Sequence, residues 1–395
     1  MRESLRKVLV VVAALQGVGF AVAACSSDDD AAAPPGPDGG DAAEASTNDA
    51  SSDAGGDAAD ADAAPRACSD ENFCHTALPV AATLRGVWGH GEIVWAVSEQ
   101  GDVLRWDGAA WSVHASQLGA LYAIWGAGEA DIWIGGEGGL FHGVGASSQA
   151  VTFEPVTTPG DEAIPIASIW GAGAGDVWAV GGDVDDETWS PRSRVLHRHG
   201  GAWALDPLSS EPFAFSRVWG DRAGGVWIAG DDGTEHSQTS GVYLRAAGAD
   251  DFAPVAVSAY NEDEGPAQGG PGAFTGAGTG ADGRVVLIGR TLSATPSFWY
   301  GSEVGVDAGA WTYEARDPND IPLRAVWGID GGATWLAGDY GRLRSSSGTK
   351  WTQAAIMIAD FPVIEPLYAM WGTKADDFWV VGRDVAMHRM PRKGP

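Results

Sequence analysis

Cysteine is scarce in this 395-residue chain, which holds only 3. A framework of several disulfides is excluded, and so is a four-cysteine zinc site. Basic side chains are also few, 24 Lys and Arg against 53 Asp and Glu, giving a formal net charge of −29. A surface this acidic repels phosphate backbones, so nucleic acid is not an expected partner. The 19 Trp are all absent from the chain before residue 88, and no Leu, Ile, Val or aromatic residue occurs between Ser26 and Arg66. The first part of the chain therefore lacks the material for a packed core. No G-x-S-x-G elbow, H-E-x-x-H pair or D-x-D-x-D-G calcium loop is present, and no cofactor or metal is expected.

What is present divides by segment. Residues 1–24 carry a charge of +2, residues 25–66 carry −10 and residues 67–395 carry −21. Met1–Lys7 is basic, and Val8–Ala24 is apolar apart from Gln16. Together with the small residues that follow, these are the parts of a secretory signal. The alternatives are an uncleaved membrane helix, for which the run is shorter than the ~20 residues a span needs, and plain secretion with a free Cys25. The ending Val22-Ala23-Ala24-Cys25 resembles the lipobox of bacterial lipoproteins. That resemblance implies lipidation of Cys25 and attachment to the membrane through the lipid anchor only. Ser26 follows the cysteine where an Asp would favour inner-membrane retention, so the resemblance points to the outer membrane or cell surface. Residues 25–66 read as an acidic Ala/Asp/Gly/Pro/Ser linker that stays disordered. Cys68 and Cys74 are then expected to form a disulfide in an oxidising compartment. Zinc is the competing reading, but only His75 is an adjacent further ligand.

From residue 84 onward the chain repeats itself. Val87-Trp88-Gly89 followed by Val94-Trp95 recurs at Trp125/Trp133, Trp170/Trp178, Trp219/Trp227, Trp327/Trp335 and Trp371/Trp379. The interval from Trp219 to Trp327 is about twice the usual period. Phe274–Gly289 aligns without gaps on Phe215–Gly230, with Gly278 and Val286 in the two Trp positions. This gives seven units, each reading as four short strands punctuated by Gly and Asp-Gly turns. Such repeats predict an all-β fold, a seven-bladed β-propeller of four-stranded blades over 67–395. The last unit lacks a fourth strand, and an N-terminal strand at 72–78 is expected to join it and close the ring. Fourth-strand aromatics are then Trp111, Phe153, Trp203, Phe252, Trp311, Trp351 and Phe73.

The repeat assigns most aromatic and histidine residues to architecture. Sixteen of the 19 Trp occupy repeat positions and are expected to pack between blades. Trp106, Trp189 and Trp299 lie outside the frame and are freer to meet a ligand. His142, His197 and His388 share one third-strand position in different blades, which suits structural hydrogen bonds rather than a metal. The Trp-rich units, with an aromatic residue after a Gly turn, resemble bacterial propellers of the BNR, or Asp-box, kind. That broad group includes sialidases, sortilin-like receptors and photosystem assembly factors. In the nearest match to the Asp-box, Arg344-Ser345-Ser346-Ser347-Gly348-Thr349-Lys350-Trp351, Ser346 stands where the Asp belongs. The sialidase Arg-Ile-Pro motif is absent, which argues against glycosidase activity.

Length variation falls in the joins after second and fourth strands, which share one face of a propeller. Variable loops on one face of a rigid scaffold are where binding resides. Blades three to five supply acids there, including Asp183, Asp185, Asp186, Glu187, Asp231, Asp232, Glu235, Glu262, Asp263 and Glu264. The second residues of the first strands add Arg85, Tyr122, Ala167, Ser216, Thr275, Arg324 and Tyr368. Across the closure, Arg324, Tyr368, Arg85 and Tyr122 form one arc of residues typical of interfaces. The expected function is a monomeric, anchored binding or scaffold module for a protein or a cell-surface polysaccharide at the cell envelope. The alternative is a glycoside hydrolase or lyase working at the channel mouth.

Overall fold

The computed structural model describes residues 68–391, apart from 234–238, 258–259, 262–264, 267–270, 292–295, 301–310, 316–320, 347–349, 355 and 359–360. The signal segment, Cys25, the linker, and Glu235, Glu262, Asp263 and Glu264 lie outside the described residues. Within them, the alternation of β-branched or aromatic residues with small ones produces short antiparallel strands. Turns such as Gly91 and Gly139, with φ of +60° and +83°, reverse the chain between them.

Six stretches of chain each fold into a four-stranded antiparallel sheet in simple sequence order. The first comprises Leu84–His90, Ile93–Ser98, Val103–Trp106 and Trp111–Ala115. The others open with Leu121–Gly128, Ser168–Gly173, Ala214–Gly220, Pro271–Thr279 and Leu323–Trp327. The remaining sheet is composite: Leu367–Lys374, Asp377–Gly382 and Val385–Arg389 are completed by Phe73–His75. The expectation of seven blades is corrected accordingly. Six repeats are four-stranded blades in their own right, and the last repeat supplies three strands whose open edge is covered from elsewhere. The covering strand is also shorter than the 72–78 expected: Phe73–His75 pairs with Met387–Arg389, and past it the ladder continues with the Thr76 N–H on the Ala386 carbonyl. First strands neighbour one another in chain order, and Leu367–Lys374 returns to Leu84–His90, closing a β-propeller around a central channel.

Two features of the repeat have a packing cause. The paired Trp residues lie directly opposite each other on the first and second strands, as in Trp88↔Trp95 and Trp125↔Trp133. The Gly after the first Trp receives the ring of the preceding blade's first Trp. A Cβ on Gly126 would come within 2.5 Å of Trp88, one on Gly171 within 2.7 Å of Trp125, and one on Gly220 within 2.0 Å of Trp170. The Gly three residues beyond the second Trp lies against a carbonyl just before the first strand. A Cβ on Gly136 would meet the Ala120 oxygen at 1.9 Å, and one on Gly382 the Pro366 oxygen at 1.9 Å.

The second-strand Trp is buried and meets the fourth-strand aromatic residue of the next blade edge-on. Ring centroids lie 6.1 Å apart for Trp95 and Phe153, 5.2 Å for Trp133 and Trp203, and 5.2 Å for Trp178 and Phe252. The same contact crosses the seam, as Trp335 meets Phe73 at 5.7 Å and Trp379 meets Trp111 at 5.2 Å. The hydrophobic core is therefore a set of clusters between blades, for example Trp95, Val97, Leu121, Ile124 and Ile134. Edge-to-face contacts of this kind add ~0.5–1.5 kcal/mol each beyond area burial.

The seam itself is dense in hydrogen bonds. Phe73 pairs with Arg389 and His75 with Met387. Thr76 donates its N–H and its hydroxyl to the Ala386 carbonyl, both at 2.9 Å, and accepts from Trp111 Nε1 at 2.9 Å. A disulfide ties Cys68, which precedes the covering strand, to Cys74 within it.

Candidate functional site

The candidate site is built at the channel end of the first strands, where the register of the sheet slips. Leu84 pairs with Ser98 but Gly86 pairs with Val97, so Arg85 is the extra residue of a β-bulge. The same slip singles out Tyr122, Ser216, Thr275, Arg324 and Tyr368. A bulge re-aims its extra side chain away from the sheet face. Here the bulged residues turn toward the channel, where Arg85, Tyr122, Arg324 and Tyr368 line one cavity of 530 Å³.

Within that cavity the arc is internally bonded. The Arg85 guanidinium lies 4.1 Å from the Tyr368 ring centroid, and that of Arg324 lies 5.6 Å from it. Arg85 forms an ion pair with Glu99. Arg324 donates from Nε and Nη2 to the two carboxylate oxygens of Asp339, at 2.6 and 2.7 Å. Those bonds outweigh burial and hold the Arg324 pKa above its ordinary value. Tyr122 donates its hydroxyl to Glu137 at 3.0 Å, and burial together with that bond raises the phenol pKa. Glu99, Glu137 and Asp339 each lie four residues after the second-strand Trp, so each closes on the bulge residue of its own blade. Sequence reasoning missed these three partners. The co-occurrence of Arg85 with Glu99, Tyr122 with Glu137 and Arg324 with Asp339 at fixed repeat positions was the available signal.

Sequence reasoning also missed Arg217, the residue after the bulge in the fourth blade. The same position elsewhere holds Gly86, Ala123, Ser168, Gly276, Ala325 and Ala369. Small residues fit because this position faces the next blade: a Cβ on Gly276 would lie 2.6 Å from the Arg324 carbonyl oxygen. Arg217 instead extends to the Gly-rich first strand of the fifth blade and lines the channel cavity. Its Nη1 donates to the Ser216 carbonyl at 2.8 Å and its Nη2 to the Thr275 carbonyl at 3.0 Å. Burial is the largest influence on this guanidinium and lowers its pKa; Asp231 opposes that, while Arg85 and Arg324 add to it.

The acidic part of this face is organised rather than bare. Arg192 bonds Asp183 at 2.7 Å and reaches Asp161 at 3.2 Å and Asp185 at 3.6 Å. Asp185 accepts from the Thr188 N–H at 2.8 Å and the Thr188 hydroxyl at 2.9 Å, and those bonds hold its pKa below the ordinary carboxylate value. Asp231 accepts from the Phe274 and Gly233 N–H groups at 2.9 and 2.8 Å, yet burial raises its pKa. Of the Trp residues outside the repeat, Trp189 is 78% exposed. Trp106 is not: it is 4% exposed and packs on Trp111 and Trp379 at the seam. The Trp299 side chain lies outside the described residues. Exposed Tyr340, Phe361 and Ile364 add an apolar rim in the joins beside the composite sheet.

The third-strand histidines serve the blades. His142, His197 and His388 stack on Trp133, Trp178 and Trp379 at 3.8, 3.8 and 4.3 Å. Their Nε2 atoms bond Asp131, Asp176 and Asp377 at 2.7, 2.8 and 2.7 Å. Among the described residues, no three His, Cys, Asp or Glu side chains converge in a metal-binding group.

Comparison with solved structures shows the fold. The chain resembles a structure described as YCF48 bound to D1 peptide, at 16% identity and a TM-score of 0.57, covering 83% of this chain and 99% of that one. YCF48 from Cyanidioschyzon merolae gives 13% identity and a TM-score of 0.56, over 82% and 100% of the two chains. Virginiamycin B lyase from Staphylococcus aureus gives 11% identity and a TM-score of 0.54, over 78% and 95%. No protein-family model and no curated protein sequence matches the chain. These similarities show that the chain folds as a β-propeller.

Proposed function

We propose that this protein is a lipid-anchored extracytoplasmic binding module that holds a protein partner at the mouth of its propeller channel. The observation that carries the reading is the set of bulges. Each re-aims toward the channel a strand position that holds Arg, Tyr, Ser or Thr. Arg and Tyr held in a preformed cavity, beside an apolar rim, are the anchors that protein interfaces use. The similar YCF48 structure has a peptide bound, which supports a peptide-binding reading for a propeller of this shape. The signal-like segment, Cys25 and the acidic linker support display from the outer membrane, and the Cys68–Cys74 disulfide suits an oxidising compartment.

Site-specific photo-crosslinking tests the partner side. A photoreactive residue replacing Tyr122 or Tyr368 is expected to trap a protein, and one replacing Gly200 on the opposite face is not. Equal trapping from both faces would defeat the reading, and selective retention on a glycan array would favour polysaccharide instead. Labelling with a fatty-acid analogue tests the anchor: the wild type is expected to take up label and Cys25→Ala to lose it. The catalytic alternative draws on the carboxylates at the channel mouth. Glu99, Glu137 and Asp339, however, are each bonded to an Arg or Tyr of the arc, which favours binding over acid–base work.

A further inference from the structure

We infer that Arg217 anchors a carboxylate of a peptide inside the channel; the inference rests on the protein-binding reading and names the chemistry of that same site. A partly buried charge is costly unless paired, and the arc follows that rule: Arg85 has Glu99 and Arg324 has Asp339. Arg217 departs from it. Among the described residues, its hydrogen bonds run only to the Ser216 and Thr275 carbonyls. The nearest opposing charge, Asp231, is committed to the Phe274 and Gly233 N–H groups. A guanidinium has five N–H donors, so those two carbonyl bonds leave donors for a ligand. Arg85 and Arg324 raise the positive potential around Arg217.

The position argues the same way. Six repeats place a residue no larger than Ser there, and the exception is the longest basic side chain, set against the one first strand that carries Gly278 in place of Trp. The two departures fall on neighbouring first strands, and Arg217 lines a cavity of 530 Å³ that a chain end or an acidic side chain enters from the loop face. A planar guanidinium bonds a carboxylate through two parallel N–H···O contacts, which also fixes its orientation.

The test uses the purified full-length protein. The probes are sodium acetate against sodium chloride at equal ionic strength, and a random hexapeptide pool prepared as free acids and as C-terminal amides. Acetate is expected to raise the thermal midpoint of the wild type, and the free-acid pool to bind more tightly than the amide pool. In Arg217→Gln both effects are expected to vanish, with affinity falling roughly 10- to 100-fold, the worth of a charge-assisted bond. Arg217→Lys keeps the charge and is expected to keep part of the acetate shift. Ala167→Trp narrows the same channel without touching Arg217 and is expected to weaken peptide binding, so the test survives misfolding of the glutamine variant. An undiminished acetate shift in Arg217→Gln overturns the inference, and so does stronger binding of oligogalacturonate than of the free-acid peptides. If photo-crosslinking at Tyr122 persists unchanged in Arg217→Gln, the protein-binding reading stands and only the carboxylate assignment falls.

Discussion

Each first strand has two ends that obey different rules. At one end stands a Trp-Gly pair whose partners are fixed by the neighbouring blade: Trp88 lies over Gly126, Trp125 over Gly171 and Trp170 over Gly220. At the other end of six of these strands stands the bulge residue, which is Arg, Tyr, Ser or Thr depending on the blade. The first end meets protein on every side, so any change in volume is felt. The second end meets the channel, where Arg85, Tyr122 and Arg324 need match only Glu99, Glu137 and Asp339 behind them. The difference teaches where this propeller is free to differ from its relatives without losing its shape.

The sharpest way to break that comparison is to cut a large side chain from the blade interface. Trp133→Ala removes the contacts to His142 and Trp203 and is expected to cost ~3–5 kcal/mol, read as a lowered denaturation midpoint in urea. Opening the staple comes next. Cys68→Ser with Cys74→Ser lengthens the freedom of a short loop and is expected to cost about 2 kcal/mol. A thermal scan checks it, and a wild type unaffected by reductant would show that the covering strand holds without the bridge. At the channel end the effects shrink. Arg324→Ala breaks a half-exposed pair with Asp339 and is expected to cost less than ~1 kcal/mol, while weakening partner binding. A variant as destabilised as Trp133→Ala would erase the distinction between the two ends.

The smallest effect is a pH dependence at His197. Burial outweighs the bond to Asp176 and holds its pKa below the ordinary histidine value. The folded state then binds fewer protons than the unfolded state as acidity rises. The contribution of His197 is full above about pH 6.5, the ordinary value, and is lost as pH falls through that value toward the depressed one. Urea midpoints measured on both sides of that window are expected to fall with acidity, and less steeply in His197→Gln.

Periodicity carried the architecture because packing repeats. The gapless alignment of Phe274–Gly289 on Phe215–Gly230 foretold the fifth blade in register: Phe274 pairs with Gly289 and Gly278 with Val286, as Phe215 pairs with Gly230 and Trp219 with Trp227. Phe73 was legible for the same reason, since a fourth-strand aromatic residue was owed to Trp335. The count of blades complete in themselves was less secure, because strand exchange at the seam leaves the last repeat one strand short. Trp106 was misjudged because its place in the third strand has no counterpart in other repeats, and only the seam buries it. Arg217 and the partners of the arc escaped notice because they depend on which residues break a column, not on which residues make one.

The covering strand also sets the order of events in time. A chain made from its N-terminus releases Phe73–His75 first, yet that strand finds its place only against Val385–Arg389; Thr76 and Ala386, which bond at the seam, stand 310 positions apart. Until the last repeat emerges, the first blade has no neighbour on its seam side and Trp111 and Trp379 are apart. Closure over so long a loop is slow for reasons of entropy. The waiting edges are sticky, so the interval before the ring shuts is when this protein is most in need of a chaperone and most open to a protease.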